Sequence, residues 1–100
     1  MDKQVEKNGD KTVISLSGQL IETDRLEFSG MISNVLASGA KDIELNMAGL
    51  SYMDSIGLGL LVTLRDESEK NDAVVRITGP QGKVKELLEM ARFDILFEIS

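Results

Sequence analysis

The chain has 100 residues, with 17 acidic and 11 basic side chains and a formal charge of −6. That length suits one compact domain, and that charge argues against a nucleic-acid backbone or an anionic membrane as partner. There is no cysteine and no histidine, which excludes disulfides, zinc–thiolate sites, a His-activated Ser or Cys nucleophile and the usual neutral-pH proton shuttle.

Apolar residues make up 42% of the chain, an ordinary share for one soluble core. The start, Met1 to Lys7, has no apolar h-region, and no apolar run approaches the roughly 20 residues needed to span a bilayer. The expectation is one soluble, cytoplasmic domain over residues 1–100, without membrane insertion.

Gln4 to Glu6 reads as a short polar edge strand. Asn8-Gly9 is a hairpin-turn pair, since both residues tolerate positive φ. Thr12 to Ser17 is β-branched and partly alternating, so it is read as an antiparallel partner ended by Gly18. After a loop through Glu22, Asp24-Arg25-Leu26-Glu27 matches a capping box. Phe28, Met31, Ile32 and Val35 follow at helical spacing, with Gly39 as the C′ residue. Gly30 inside that helix costs roughly 1 kcal/mol against Ala.

Ile43 to Met47 alternates cleanly and reads as a strand. Ala48 to Asp54 reads as a loop, and about Ser55 to Asn71 as the second helix. Val74 to Thr78 is the next strand. Gly79-Pro80 turns into a third helix whose apolar residues, Val84, Leu87, Leu88 and Ala91, fall at i, i+3, i+4 and i+7. Leu96 to Ile99 is a final short strand. The order β-β-α-β-α-β-α-β predicts an α/β fold: a mostly parallel sheet with an antiparallel edge hairpin and helices packed on it.

The second helix carries the main functional signal. At 100° per residue, Ser55, Gly59, Thr63, Asp66 and Lys70 share an arc of about 80°. Gly57, Leu61, Leu64 and Ser68 lie opposite. Leu58 and Val62 border the Ser55 arc on one side, and Ile56 and Leu60 on the other. A partner can approach the small face over Gly59 and bury Ile56, Leu60 or Val62. The bland alternative is a well-buried helix whose glycines only permit close packing on the sheet.

Ser55 has three uses at a helix start: an N-cap, an anion site or a phosphorylation site. As a cap it contributes roughly 0.5–2 kcal/mol, and Asp54 can do the same job. A phosphoserine there is compatible with the helix dipole and free N–H groups, so it should act on binding rather than on folding. A metal cluster of Asp42, Glu44, Asp54 and Glu22 is disfavoured, because abundant acidic residues are usually solvated surface. Gly79-Pro80-Gln81-Gly82-Lys83 lacks the Walker spacing and reads as a turn and helix start. No nucleophile–base pair can be assembled, so no enzyme, cofactor or metal is expected.

Asn46-Met47-Ala48-Gly49-Leu50-Ser51-Tyr52-Met53-Asp54-Ser55-Ile56-Gly57-Leu58-Gly59 closely resembles the signature of STAS domains, the anti-sigma factor antagonists. Gly18-Gln19-Leu20 and the Val84 to Phe97 stretch extend the resemblance over nearly the whole chain. It implies a partner switch. The unphosphorylated antagonist binds a serine kinase of the histidine-kinase-like ATPase fold that doubles as an anti-sigma factor. The kinase phosphorylates the motif serine, here Ser55, and the antagonist lets go; a PP2C-type phosphatase restores it. With the helix start and its small face as the docking surface, partner contacts are expected around Asp54, Ile56, Gly57, Gly59, Leu60, Val62 and Thr63.

Two departures from the pattern stand out. Leu20-Ile21 occupies a position where many members carry an acidic residue, leaving Glu22 as the nearest carboxylate. Members usually also continue beyond the position of Ile99-Ser100 into a C-terminal helix, so the expectation is either a less covered sheet there or a surface that meets another chain. The alternative functions are a constitutive STAS scaffold or transport-complex subunit, and a nucleotide- or metabolite-binding sensor with a pocket near Asp54, Gly57 and Gly79.

Overall fold

The computed structural model describes residues 1–100. Five strands form one sheet in the order β1-β2-β3-β4-β5: β1 Asp2–Asn8, β2 Lys11–Leu20, β3 Asp42–Met53, β4 Val74–Thr78 and β5 Glu98–Ile99. β1 and β2 are antiparallel and every other pair is parallel. Three helices connect the parallel strands: α1 Arg25–Ala37, α2 Ser55–Lys70 and α3 Gly82–Met90. The order and the antiparallel edge hairpin are those expected from the sequence.

The sheet is amphipathic across its thickness. Ile14, Leu16, Ile43, Leu45, Met47, Val75 and Ile77 are buried on one face. Successive right-handed crossovers in one direction carry the helices to that same face. The alternate positions, including Lys11, Glu44, Asn46, Arg76 and Thr78, are half-buried on the other. There Glu44 pairs with Lys11 at 2.7 Å and accepts from Thr78 at 2.9 Å, which hold its carboxyl below the usual range. Arg76 pairs with Asp42 at 2.7 Å. The helix side of the sheet, with the helices, makes one continuous apolar core that includes Phe28, Met31, Ile32 and Val35 of α1, as their spacing predicts.

Several boundaries differ from the sequence reading. β1 runs from Asp2 to Asn8 and is longer than Gln4 to Glu6. The hairpin turn is Gly9-Asp10 rather than Asn8-Gly9: Asn8 pairs with Lys11, and Gly9 alone supplies the positive φ, +62°. Gly18 does not end β2. It sits inside the strand at φ +82°, at a register irregularity, and the strand continues to Leu20. β2 pairs with β3 through Gly49, Leu50, Tyr52 and Met53, so Ala48 to Met53 is strand rather than loop. α3 begins at Gly82, and Ala91 lies exposed beyond its end. β5 is only Glu98–Ile99, because a 3-10 turn over Phe93–Ile95 precedes it.

The capping box at Asp24 does not form. Asp24 is itself in the right-handed helical region, and Glu27 is turned to Lys3, 2.7 Å away. The Asp24 carboxylate instead accepts from the Ile21 N–H and from the Met1 ammonium, both at 2.9 Å. The Ile21 bond first, then the ammonium, hold its pKa below the usual value. A lowered folded-state pKa means that the stabilisation is complete above the ordinary carboxylate value, about 4, and is lost as pH falls through the folded value. Thermal unfolding followed by circular dichroism should therefore show wild type more stable than Asp24→Asn near neutrality. That advantage should shrink as pH falls below about 4.

Candidate functional site

The junction of β3 and α2 is built around Asp54. It is extended, φ −105° and ψ −173°, and its carboxylate accepts from the Gly57 N–H at 2.9 Å. Its carbonyl takes the first helical bond, from the Leu58 N–H at 3.2 Å. Asp54 is therefore the N-cap, worth about 1 kcal/mol. Ser55 is the first residue inside the helix. It is exposed, and its hydroxyl makes no hydrogen bond. The capping use of Ser55 is thus removed, and its side chain is free for chemistry.

The helical projection places the other residues well. Ser55, Gly59, Thr63, Asp66 and Lys70 are all exposed, and Gly57, Leu61, Leu64 and Ser68 are all buried. Ile56, Leu58 and Val62 are half-buried along the borders. Leu60 differs from the expectation: only 6% of it is exposed, so most of its surface already serves the core.

The two glycines play different parts. A Cβ on Gly57 would stand 2.4 Å from Met53 Cγ and 2.6 Å from the Leu20 carbonyl oxygen. Gly57 is therefore where α2 touches the sheet, as the packing alternative requires, and it lies away from the exposed arc. A Cβ on Gly59 would meet nothing within 4 Å. Gly59 leaves the middle of the arc smooth, with Thr63 Oγ1 donating to its carbonyl at 3.1 Å.

A groove of about 290 Å3 opens beside Ser55. Ser55, Ile56, Gly59, Leu60 and Thr63 line it from α2, and Arg25 and Ser29 from α1. At Ser29 and Thr63 it meets a second hollow, of about 510 Å3, that follows the two helices to Ala37 and Asn71. The α1 contribution was not visible in the sequence, because helical periodicity does not say which helix lies beside which.

The carboxylates considered for a metal do not converge. Asp42 and Glu44 are engaged on the open sheet face, Asp54 caps α2 and Glu22 is exposed. The glycines of the sensor alternative are taken up by packing: Gly57 on Met53 and Leu20, and Gly79 on Ala48, whose carbonyl also accepts from Gln81.

A family model described as STAS domain matches residues 2–100. Over 87 residues the chain is 28% identical to the anti-sigma-B factor antagonist of Staphylococcus aureus, covering 87% of this chain and 81% of that protein. An anti-sigma factor antagonist from Mycobacterium paratuberculosis superposes with a TM-score of 0.87 at 16% identity, over 98% of this chain and 83% of that one. The Bacillus anti-sigma factor antagonist SpoIIAA has been solved unphosphorylated and phosphorylated. Each form superposes with a TM-score of 0.74 at 24% identity over 99% of this chain, covering 87% and 91% of the respective SpoIIAA chains. The structural likeness establishes the fold, and the sequence match to the family model over residues 2–100 establishes that this chain belongs to the STAS domain family.

Proposed function

We propose that the chain is an anti-sigma factor antagonist in a phosphorylation-controlled partner switch. With Ser55 unmodified, the α2 face binds a serine kinase of the histidine-kinase-like ATPase fold that is also the anti-sigma factor, and so frees that factor's target. The kinase transfers the γ-phosphoryl group of ATP to Ser55 Oγ. ADP leaves and the hydroxyl proton is lost. The phosphorylated chain then releases the kinase. A PP2C-type phosphatase restores the serine as water cleaves the Oγ–P bond and inorganic phosphate departs. The chain itself catalyses nothing in this cycle, needs no cofactor and works in the cytoplasm. No helix is long and apolar enough to cross a membrane.

One observation carries the reading: Asp54 performs the capping, which leaves the Ser55 hydroxyl exposed and unengaged within a smooth face. Modification at the first helical position is compatible with the helix, because anions are favoured there. The names of the relatives supply the class of partner.

Mass spectrometry after incubation with such kinases and ATP tests the proposal. One phosphate is expected on the peptide containing Ser55, and none on Ser55→Ala. A persistent lack of modification would favour a constitutive scaffold on the same fold.

A further inference from the structure

We propose that Arg25 is a built-in clamp for a phosphate on Ser55, drawing it across the α1/α2 groove and closing the docking face in the released state. This rests on the phosphorylation reading above and adds a second residue to the switch.

Arg25 is the first residue of α1, and Ser55 is the first residue of α2. The two line one groove from the two helices, together with Ser29 and Gly59, which are small. Nothing stands within 4 Å of a Cβ built on Gly59. A phosphate therefore has room there.

Charge points the same way. Of the four arginines, Arg65 bridges to Glu69 and Asp66, Arg76 to Asp42, and Arg92 to Asp94. Arg25 alone has neither a carboxylate nor a hydrogen-bond acceptor as partner, and it is exposed. It also sits at a helix N-terminus, where the dipole disfavours a cation. The Asp54 carboxylate, next to Ser55 and committed to the Gly57 N–H, would repel a dianion. An arginine that is free to swing into the groove answers both demands. Its planar fork matches two phosphate oxygens, while a lysine offers only a point charge. The resulting bridge would lie over Ile56 and Gly59, the residues a partner must reach.

The test uses the full chain with phosphoserine encoded at position 55. The second phosphate ionisation is followed by phosphorus NMR in wild type, Arg25→Gln and Arg25→Lys. The ordinary value is about 6. Wild type should titrate at least about half a pH unit below Arg25→Gln, with Arg25→Lys between them, and the gap should narrow in high salt. Coincident midpoints for wild type and Arg25→Gln would overturn the clamp. Kinase affinity of modified and unmodified wild type is measured alongside. If the phosphate abolishes binding while the midpoints coincide, the clamp fails and the switch stands. If the midpoints separate but binding is unchanged by phosphate, Arg25 holds the phosphate but the docking face stays open, and both the closure and the switch are overturned.

Discussion

Ser55→Asp is expected to weaken binding to the cognate serine kinase at least tenfold while leaving the fold intact. Ser55 is exposed and makes no hydrogen bond, so its replacement breaks no internal contact. A carboxylate in the first turn is favoured by the helix dipole, so stability should stay within about 0.5 kcal/mol of wild type. Binding is another matter. The side chain stands on an arc bordered by half-buried Ile56 and Val62, with Gly59 open at its centre. A partner that covers this face must desolvate whatever Ser55 carries. Burying an unpaired charge costs several kcal/mol, and tenfold in affinity needs only about 1.4. Ser55→Ala, which adds no charge, should bind as wild type does but resist the switch. Calorimetric titration separates the variants, and thermal unfolding confirms that each is folded.

Gly57→Ala is expected to destabilise the chain by about 2 kcal/mol or more, roughly 10 °C in Tm, whereas Gly59→Ala should not destabilise it. The new methyl at Gly57 would lie 2.4 Å from Met53 Cγ and 2.6 Å from the Leu20 carbonyl oxygen. The Met53 side chain can shift. The Leu20 carbonyl cannot do so cheaply, because Leu20 is fully buried and paired with Met53 across β2 and β3. The helix-propensity gain of about 1 kcal/mol offsets only part of the clash. At Gly59 there is no clash, so the same gain appears as stabilisation. Urea unfolding should rank Gly59→Ala at or above wild type, and Gly57→Ala well below. Gly59→Ala also places a methyl in the middle of the docking arc, so in the proposed switch it should weaken kinase binding without loss of stability. Equal stabilities for the two variants would contradict the assignment of Gly57 to packing and Gly59 to the exposed face.

The α2 projection was legible because the helix obeys one period from Ser55 to Lys70, and the sheet beneath it buries one side. The first half of β3 was legible in a similar way: Ile43, Leu45 and Met47 alternate regularly with half-buried residues. The far ends of β2 and β3 were not. Two register irregularities, one between Ser15 and Ser17 and one between Gly18 and Gln19, shift the buried positions of β3 from Ile43, Leu45 and Met47 to Leu50 and then Met53. A two-residue period becomes a three-residue one, and it reads as a loop. Asp24 misled because Asp followed by Glu at the third position is a capping signal, yet the chain enters α1 through a preceding 3-10 turn, and the carboxylate folds back on Ile21 and Met1. Arg25 was beyond reach. Its meaning depends on α1 lying beside α2, a long-range contact that no local spacing encodes.

The most direct measurement is a calorimetric titration of the cognate kinase into the full chain, once with Ser55 unmodified and once with phosphoserine at that position. Saturable binding to the unmodified chain is expected, with affinity at least tenfold weaker for the phosphorylated one and both chains folded to the same degree. Equal affinities for the two forms would contradict the proposed switch.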